Sequence, residues 1–452
     1  MRKNIIPAIL VGTLFCCSAK AETIFEAMAE AYRSNPDLQA QRAYLRAVDE
    51  NVAIAKSGYR PTVALTGQYS NSNRDSNINP AEDGSVNTSY GATVSQPLFS
   101  GFSTVNSVKS ADSASRSEQY NLSNYEQTIF LSASEAYLNV VRDEAIVNLQ
   151  KNNEKLLKKQ LDETQERFNV GELTRTDVAQ AKSSHSQAVA DRISAEGTLE
   201  VSKAIYKQII GKNPQNLSEP SNIHTFLPPT FAKALEYTEQ NNFGLLQAKE
   251  ALKSKEYAVK ANYGALSPQL SATGTAGKSK SNSKHHGDPN GEVDEMSWGL
   301  NASIPLYDAG ESRARIRQSK YAKWQAQENV LSAQRAAVSA ITGSWEAMVA
   351  YDAKIKALEE QVDANKIALE GVKKEEALGN RTILDVLTAF QTLLNSQVQV
   401  VTARRDYYLS SMQVMQAMGK LTAKNLKLNV DLYNAKQYYK DTRNKWISTS
   451  ID

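Results

Sequence analysis

The chain has 452 residues, 22% of them charged and 41% hydrophobic, with a formal net charge of +3. Arg2, Lys3 and Lys20 precede the first acid, Glu22, and account for all of that charge, so the rest of the chain is neutral and lacks the basic excess of a nucleic-acid binder. Cys16 and Cys17 are the only cysteines, which leaves the chain beyond them no disulfide and no cysteine metal site.

Residues 1–21 read as a secretory signal: a basic start, a mostly apolar run over residues 5–17, and Ala19-Lys20-Ala21 before a cleavage point between Ala21 and Glu22. The apolar run is too short for a retained spanning anchor. Neither cysteine follows the small residue that a lipoprotein signal needs, which argues against lipidation. No apolar run of about 18 residues follows, so no spanning helix is expected, although a barrel remains open to such a chain.

Residues 24–56 are Ala-rich with charges on one face and predict a helix. From Pro61, Val63, Leu65, Gly67 and Tyr69 alternate with Thr62, Ala64, Thr66, Gln68 and Ser70. A loop rich in Asn, Ser, Asp and Gly covers residues 71–87, and Tyr90, Ala92 and Val94 then alternate with Gly91, Thr93 and Ser95. Period two predicts a hairpin of strands about 10 residues long, the length of a tilted membrane strand. A soluble hairpin would also alternate. Here, however, the second face is small and polar, like a water-filled lumen, and aromatics sit near the strand ends.

From about residue 101 to 168 there is no proline, and no glycine after Gly101, which predicts one helix of about 68 residues, roughly 100 Å long. Ile146, Leu149, Asn153 and Leu156, then Leu157, Leu161, Thr164 and Phe168, step by threes and fours as coiled-coil seams do. Gly171 suits a helix C-terminus, and a further helix covers residues 174–210.

The same series then repeats. Arg167-Phe168-Asn169-Val170-Gly171 with Thr176-Asp177-Val178 is matched 208 positions on by Glu375-Glu376-Ala377-Leu378-Gly379 with Leu384-Asp385-Val386. Pro97-Leu98-Phe99 matches Pro305-Leu306-Tyr307, Tyr137 matches Trp345 and Gly211 matches Gly419, while Pro61 matches Pro268 at offset 207. This is a tandem duplication: residues 22–212 and 230–420, joined by a proline-bearing segment at 213–229 and followed by a tail at 421–452, expected to be partly helical over 432–446. In the second copy Leu270, Ala272, Gly274 and Ala276, then Met296, Trp298, Leu300, Ala302 and Ile304, form the alternating strands around a loop at 278–294. A long helix covers 310–378 and a shorter one 382–418. The first and fourth helices of a copy together nearly equal its long helix, so two short helices stacked end to end can lie beside one long one, as in the wall of a tube.

On these motifs, with Gln96-Pro97-Leu98-Phe99 and Ser34-Asn35-Pro36-Asp37-Leu38 in support, the chain resembles the TolC family of outer-membrane channels serving efflux pumps and type I secretion. The likeness covers about residues 23–421, and the tail with Tyr438 and Lys445-Trp446 is most similar to the alphaproteobacterial branch. The resemblance implies an α+β membrane protein. It would be a homotrimer with a 12-stranded transmembrane β-barrel, four strands per protomer, continuous with a long periplasmic α-helical barrel. It would sit in the outer membrane of a Gram-negative bacterium and work with a periplasmic adaptor and an inner-membrane efflux pump or ABC transporter. Four strands cannot close a barrel alone, because open edges are forbidden in lipid, so oligomerisation is expected on physical grounds too.

The resemblance also assigns residues. Asp385, expected about two turns beyond the second tip, would form the narrowest ring of the tunnel, attracting cations; the family's second ring aspartate is here Thr388, which would weaken that site. Asp177 and Thr176 with Arg381 would latch the closed state, and the family's tyrosine partner is here Glu376, which could accept from Arg381 and make the latch ionic. Val170, Gly171, Glu172, Leu173, Leu378, Gly379 and Asn380 would form the tips where the adaptor docks. Catalytic readings find no support: His285 and His286 sit in a loop expected outside the cell, His185 and His224 are isolated, and no nucleotide, zinc-protease or triad motif is visible. No cofactor or metal is expected. The competing reading is a periplasmic or surface coiled-coil scaffold without a pore, which has no use for four alternating segments.

Overall fold

The computed structural model describes residues 21–74, 83–220, 223–283 and 291–450. His285, His286 and the first 20 residues lie outside them, as does the His224 side chain. The first copy holds α1 (Ile24–Ser34), α2 (Pro36–Ser57), β1 (Thr62–Arg74), β2 (Asp83–Ser100), α3 (Ser103–Asn169) and α4 (Arg175–Ile210). The second repeats that order as α5 (Phe231–Asn241), α6 (Phe243–Tyr263), β3 (Gln269–Ser283), β4 (Gly291–Ser303), α7 (Glu311–Ala377) and α8 (Ile383–Ala417). A short helix, α9 (Ala435–Thr442), lies in the tail and is narrower than expected.

The helix expected over residues 24–56 is two helices. Asn35 leaves helical geometry at ψ 120° and its side chain accepts from Asp37 and Leu38, starting α2 with Pro36 in its first turn. Asn242 does the same for α6, accepting from Leu245. Each asparagine also donates sideways to the end of a tip-bound helix, Asn35 to the Ile209 carbonyl (3.0 Å) and Asn242 to that of Ala417 (3.0 Å). The broken column is therefore pinned where it meets α4 or α8, and the end-to-end stacking expected from the lengths is realised around these joints.

The long helices α3 and α7 each have 67 residues. In α3 the buried seam near the tip runs through Asn153, Leu157, Gln160 and Thr164, while Leu156 and Phe168 face outward. The seam is thus shifted from the expected one and mostly polar, with Leu157 joining Ala188 of α4 and Leu369 of α7 in one apolar cluster. Where strands pass into helices, Gly101 (φ +61°) lies against Gly264; a Cβ on Gly101 would come within 2.5 Å of the Gly264 carbonyl, so only glycine admits this crossing.

The main core lies at the middle of the molecule, where Met28, Leu38, Phe130, Tyr137, Tyr206, Met412 and Met415 are fully buried. It is tied by Glu22, whose carboxylate accepts from the Tyr206 hydroxyl (2.6 Å) and pairs with Lys212 (3.2 Å), and whose backbone bridges Leu217.

The strands form one antiparallel sheet in the order β1-β2-β3-β4. They have 13, 18, 15 and 13 residues, longer than the expected 10, so the hairpins stand above the length a bilayer needs. No described helix is long and apolar enough to cross a membrane.

Candidate functional site

The sheet register places the two faces without ambiguity. Val63 pairs with Val94 and Leu65 with Ala92; Ala92 then meets Ala276, Val94 meets Gly274, Gly274 meets Trp298 and Ala272 meets Leu300. These residues share one face, and it is bare: Leu65 is 86% exposed, Met296 88% and Trp298 85%. The other face carries Thr66, Thr93, Thr273, Thr275, Ser297 and Asn301, cross-linked by hydroxyl and amide contacts such as Asn301 to Thr273 (2.8 Å). Farther along the apolar face Lys278 meets Glu292 and Asp294, so the band ends in charge. A bare apolar band beside a small polar face is what lipid outside and water inside require. Among the described residues neither β1 nor β4 has a second partner strand, so each presents a free edge.

At the opposite end, each copy turns through a tip. Gly171 (φ +86°) and Gly379 (φ +80°) take the left-handed conformation that ends α3 and α7. The amides of Glu172 and Asn380 return to the carbonyls of Arg167 and Glu375, both at 2.9 Å. Thr174 and Thr382 then cap α4 and α8. The Thr174 amide donates to Asp177 Oδ2 (2.9 Å) and the Asp177 amide to Thr174 Oγ1 (3.3 Å); Thr382 and Asp385 repeat both bonds at the same distances. The recurring Asp-Val is therefore half of a capping box, worth about 1 kcal/mol per cap, followed by a residue that packs inward, Val386 being 1% exposed.

This geometry corrects two details of the sequence reading. Asp385 sits in the first turn of α8, three residues past its cap, rather than two turns in. Its backbone and side-chain bonds from Thr382, with Arg381 nearby, hold its carboxyl below the usual range, so it is charged at neutral pH. Thr388 follows one turn on, exposed, its hydroxyl bonded back to the Leu384 carbonyl (2.8 Å). Second, within the protomer Glu376 does not meet Arg381. Arg381 pairs with Glu375 of its own tip (2.9 Å), with both side chains half exposed. Glu376 is buried and accepts from Arg167 of the other copy (2.7 Å), which also reaches Glu172 (3.1 Å). Asp177 is engaged with Thr174, and Thr176 is exposed beside it.

Arg167 is the residue that sequence reasoning passed over. The signal was its mate: position 167 is Arg in one copy and the matched position 375 is Glu in the other. Each tip carries its own clip, Arg167 to Glu172 and Glu375 to Arg381, with the polarity reversed. The apolar tip residues Val170 and Leu378 are 72% and 77% exposed, whereas Leu173 packs against the cluster of Ile383, Val386 and Phe390 on α8. Gly171, Glu172, Gly379 and Asn380 are exposed around them.

Comparison with known proteins follows the same two halves. The family described as outer membrane efflux protein matches residues 27–212 and again 234–420. The outer membrane efflux protein BepC of Brucella suis is 35% identical over 440 residues, covering 97% of this chain and 94% of that one. The outer membrane protein TolC of Escherichia coli is 28% identical over 440 residues, covering 94% and 88%. Among solved structures, the CmeC outer membrane channel of Campylobacter jejuni superposes with a TM-score of 0.77 at 18% identity, covering 93% of this chain and 89% of that one.

Proposed function

The chain belongs to the outer membrane efflux protein family, and from that premise we propose that three copies join their free sheet edges into a 12-stranded barrel whose lumen continues into a tunnel of long helices. The protein is an outer-membrane efflux channel that extends into the periplasm, passing solutes or secreted polypeptide outward. The observation that carries this reading is the open four-stranded sheet with a bare apolar face, set on 67-residue helices. A pore-less scaffold gains nothing from leaving Leu65 and Trp298 uncovered; a barrel wall in lipid requires it.

In this trimer the tips close the tunnel. Asp385 and Thr388 face the axis, and three ionised carboxylates there favour cations. Thr176, Asp177 and Arg381 latch neighbouring helix pairs, with the Arg167–Glu376 bridge tying the two copies inside each protomer. The tips, from Val170 to Leu173 and from Leu378 to Asn380, dock a periplasmic adaptor that couples the duct to an inner-membrane pump or ABC transporter. The exported cargo is small toxic compounds, type I secretion substrates, or both.

The test is direct. The protein should fractionate with the outer membrane as a heat-modifiable trimer, and planar bilayers should show cation-selective channels whose conductance rises in Arg381→Ala. Release from membranes by salt without detergent would sink the channel reading. Unchanged conductance in Arg381→Ala would remove that residue from the latch.

A further inference from the structure

The tail does not hang from the molecule; it climbs it. The Tyr433 amide donates to the Tyr32 hydroxyl (2.9 Å) and the Tyr438 hydroxyl to Glu50 (2.8 Å). Higher up, the Lys56 ammonium donates to Asn444 (2.9 Å) and the Arg60 guanidinium to the Lys445 carbonyl (2.8 Å). The contacts on the first copy ascend from 32 to 60, so the segment follows α2 from the central core to the root of β1. Tyr439 holds the other side through Asp112 (2.6 Å), and Thr442 is buried beneath.

The strap ends in two apolar side chains. Trp446 is 67% exposed with Arg60 stacked on its ring at 4.6 Å, and Ile447 is 92% exposed. Arg60 lies three residues before Val63, the first outward apolar residue of the sheet, or about 10 Å along a strand. Trp446 and Ile447 therefore stand at the lower margin of the lipid band, level with the exposed aromatics Tyr59, Phe99 and Phe102 of the strand roots. The charge of the segment is one-sided: Lys436, Lys440, Arg443 and Lys445 against a single acid, Asp441, which already accepts from Gln437.

We propose that residues 435–447 form a foot on each protomer that docks on the anionic phospholipid surface of the periplasmic leaflet, with Trp446 and Ile447 inserted at the interface and Lys440, Arg443 and Lys445 facing phosphate headgroups. Amphipathic apolar-basic segments bind such surfaces by these two contributions together, and tryptophan favours that depth. The inference rests on the barrel reading, since it needs a bilayer at the root of β1.

The test places a nitroxide label at Ile447→Cys in the full chain with Cys16→Ala and Cys17→Ala, and a second label, in a separate protein, at Leu65→Cys. Both are reconstituted in phosphatidylethanolamine vesicles with and without phosphatidylglycerol, and collision with oxygen is compared with collision with a water-soluble nickel complex. The expected result is a severalfold rise in the oxygen-to-nickel ratio at 447 when phosphatidylglycerol is present, lost in the Lys440→Glu, Arg443→Glu, Lys445→Glu variant. A label at 447 that stays water-accessible while that at 65 is in lipid overturns the foot and leaves the barrel standing. Shielding of 447 from both reagents would place it against a second copy and also overturn it, and equal ratios in the two vesicles would overturn headgroup recognition. If 65 itself is water-accessible, the barrel reading has failed.

Discussion

The two copies of the repeat keep their backbone and exchange their charges. Thr23 and Thr230 cap α1 and α5, Asn35 and Asn242 break the columns, and Thr174 and Thr382 cap the helices after the tips. Side chains between these fixed points diverge. Asp49 of α2 is 1% exposed and bonded to Ser115, with its second oxygen buried and unpartnered. Its mate Glu256 is half exposed and pairs with Lys323, the mate of Ser115, at 3.1 Å. At the tips, Arg167 of one copy has a residue of opposite charge, Glu375, as its mate, and each pairs within its own tip. The core is shared unequally as well: α1 buries Ile24, Met28 and Tyr32, whereas α5 buries only Ala234 and Thr238. Duplication supplied geometry, and divergence turned matched positions into a bridge in one place and a solvated pair in the other.

The contrast at the tips can be broken most strongly at Arg167. Arg167→Glu sets a third carboxylate against Glu172 and the buried Glu376, and should cost about 2–3 kcal/mol, somewhat below a fully buried pair. Arg381→Glu, at a half-exposed pair screened by solvent, should cost far less. Hydrogen exchange at the amides of Glu172 and Asn380 measures both, and equal effects would erase the distinction between bridge and clip.

The buried Asp49, which the second copy lacks, is tested by pH. Burial first, with Glu50 nearby, pushes the Asp49 carboxyl up to about 6 from 3.8, against the opposing Ser115 bond. A carboxyl that holds its proton more tightly when folded makes the protein less stable as pH rises from about 4 to about 6, with no further change above. Asp49→Asn should therefore raise stability by on the order of 2 kcal/mol at neutral pH and by little near pH 4, read as thermal midpoints of the solubilised protein.

The caps test what the copies share. Thr174→Ala and Thr382→Ala should each cost about 1 kcal/mol of local stability, equal within error, by exchange in the first turns of α4 and α8. Unequal losses would mean that one threonine does more than cap. The smallest effect is expected at Lys323→Ala, about 0–1 kcal/mol, where Ser115→Ala should cost more because it strips the buried Asp49 of its partner.

Much of this was legible in the residues. Period two gave all four strands and their faces; the run without proline or glycine gave the first long helix, and the repeat offset gave the second, which contains Gly343 and Gly371. The break at Asn35 was missed because residues 24–56 are helical in composition on both sides of it, although Asn-Pro marked it; the break at Asn242 was marked only by its mate at the repeat offset. The Arg167–Glu376 bridge joins residues 209 apart on different copies, and no local periodicity announces such a contact. The climbing tail was equally hidden, because its anchors Tyr32, Glu50 and Arg60 look like ordinary surface residues of the first copy.

Both long helices have 67 residues. One residue added to α3 alone would lift its tip by about 1.5 Å and swing it by roughly 100° against the other, parting Arg167 from Glu376. Only changes of whole heptads, made in both copies and mirrored on the returning helices, keep every seam facing its neighbour. The depth to which such a protein reaches is then graduated like a ruler, and lineages can lengthen or shorten it only by full divisions.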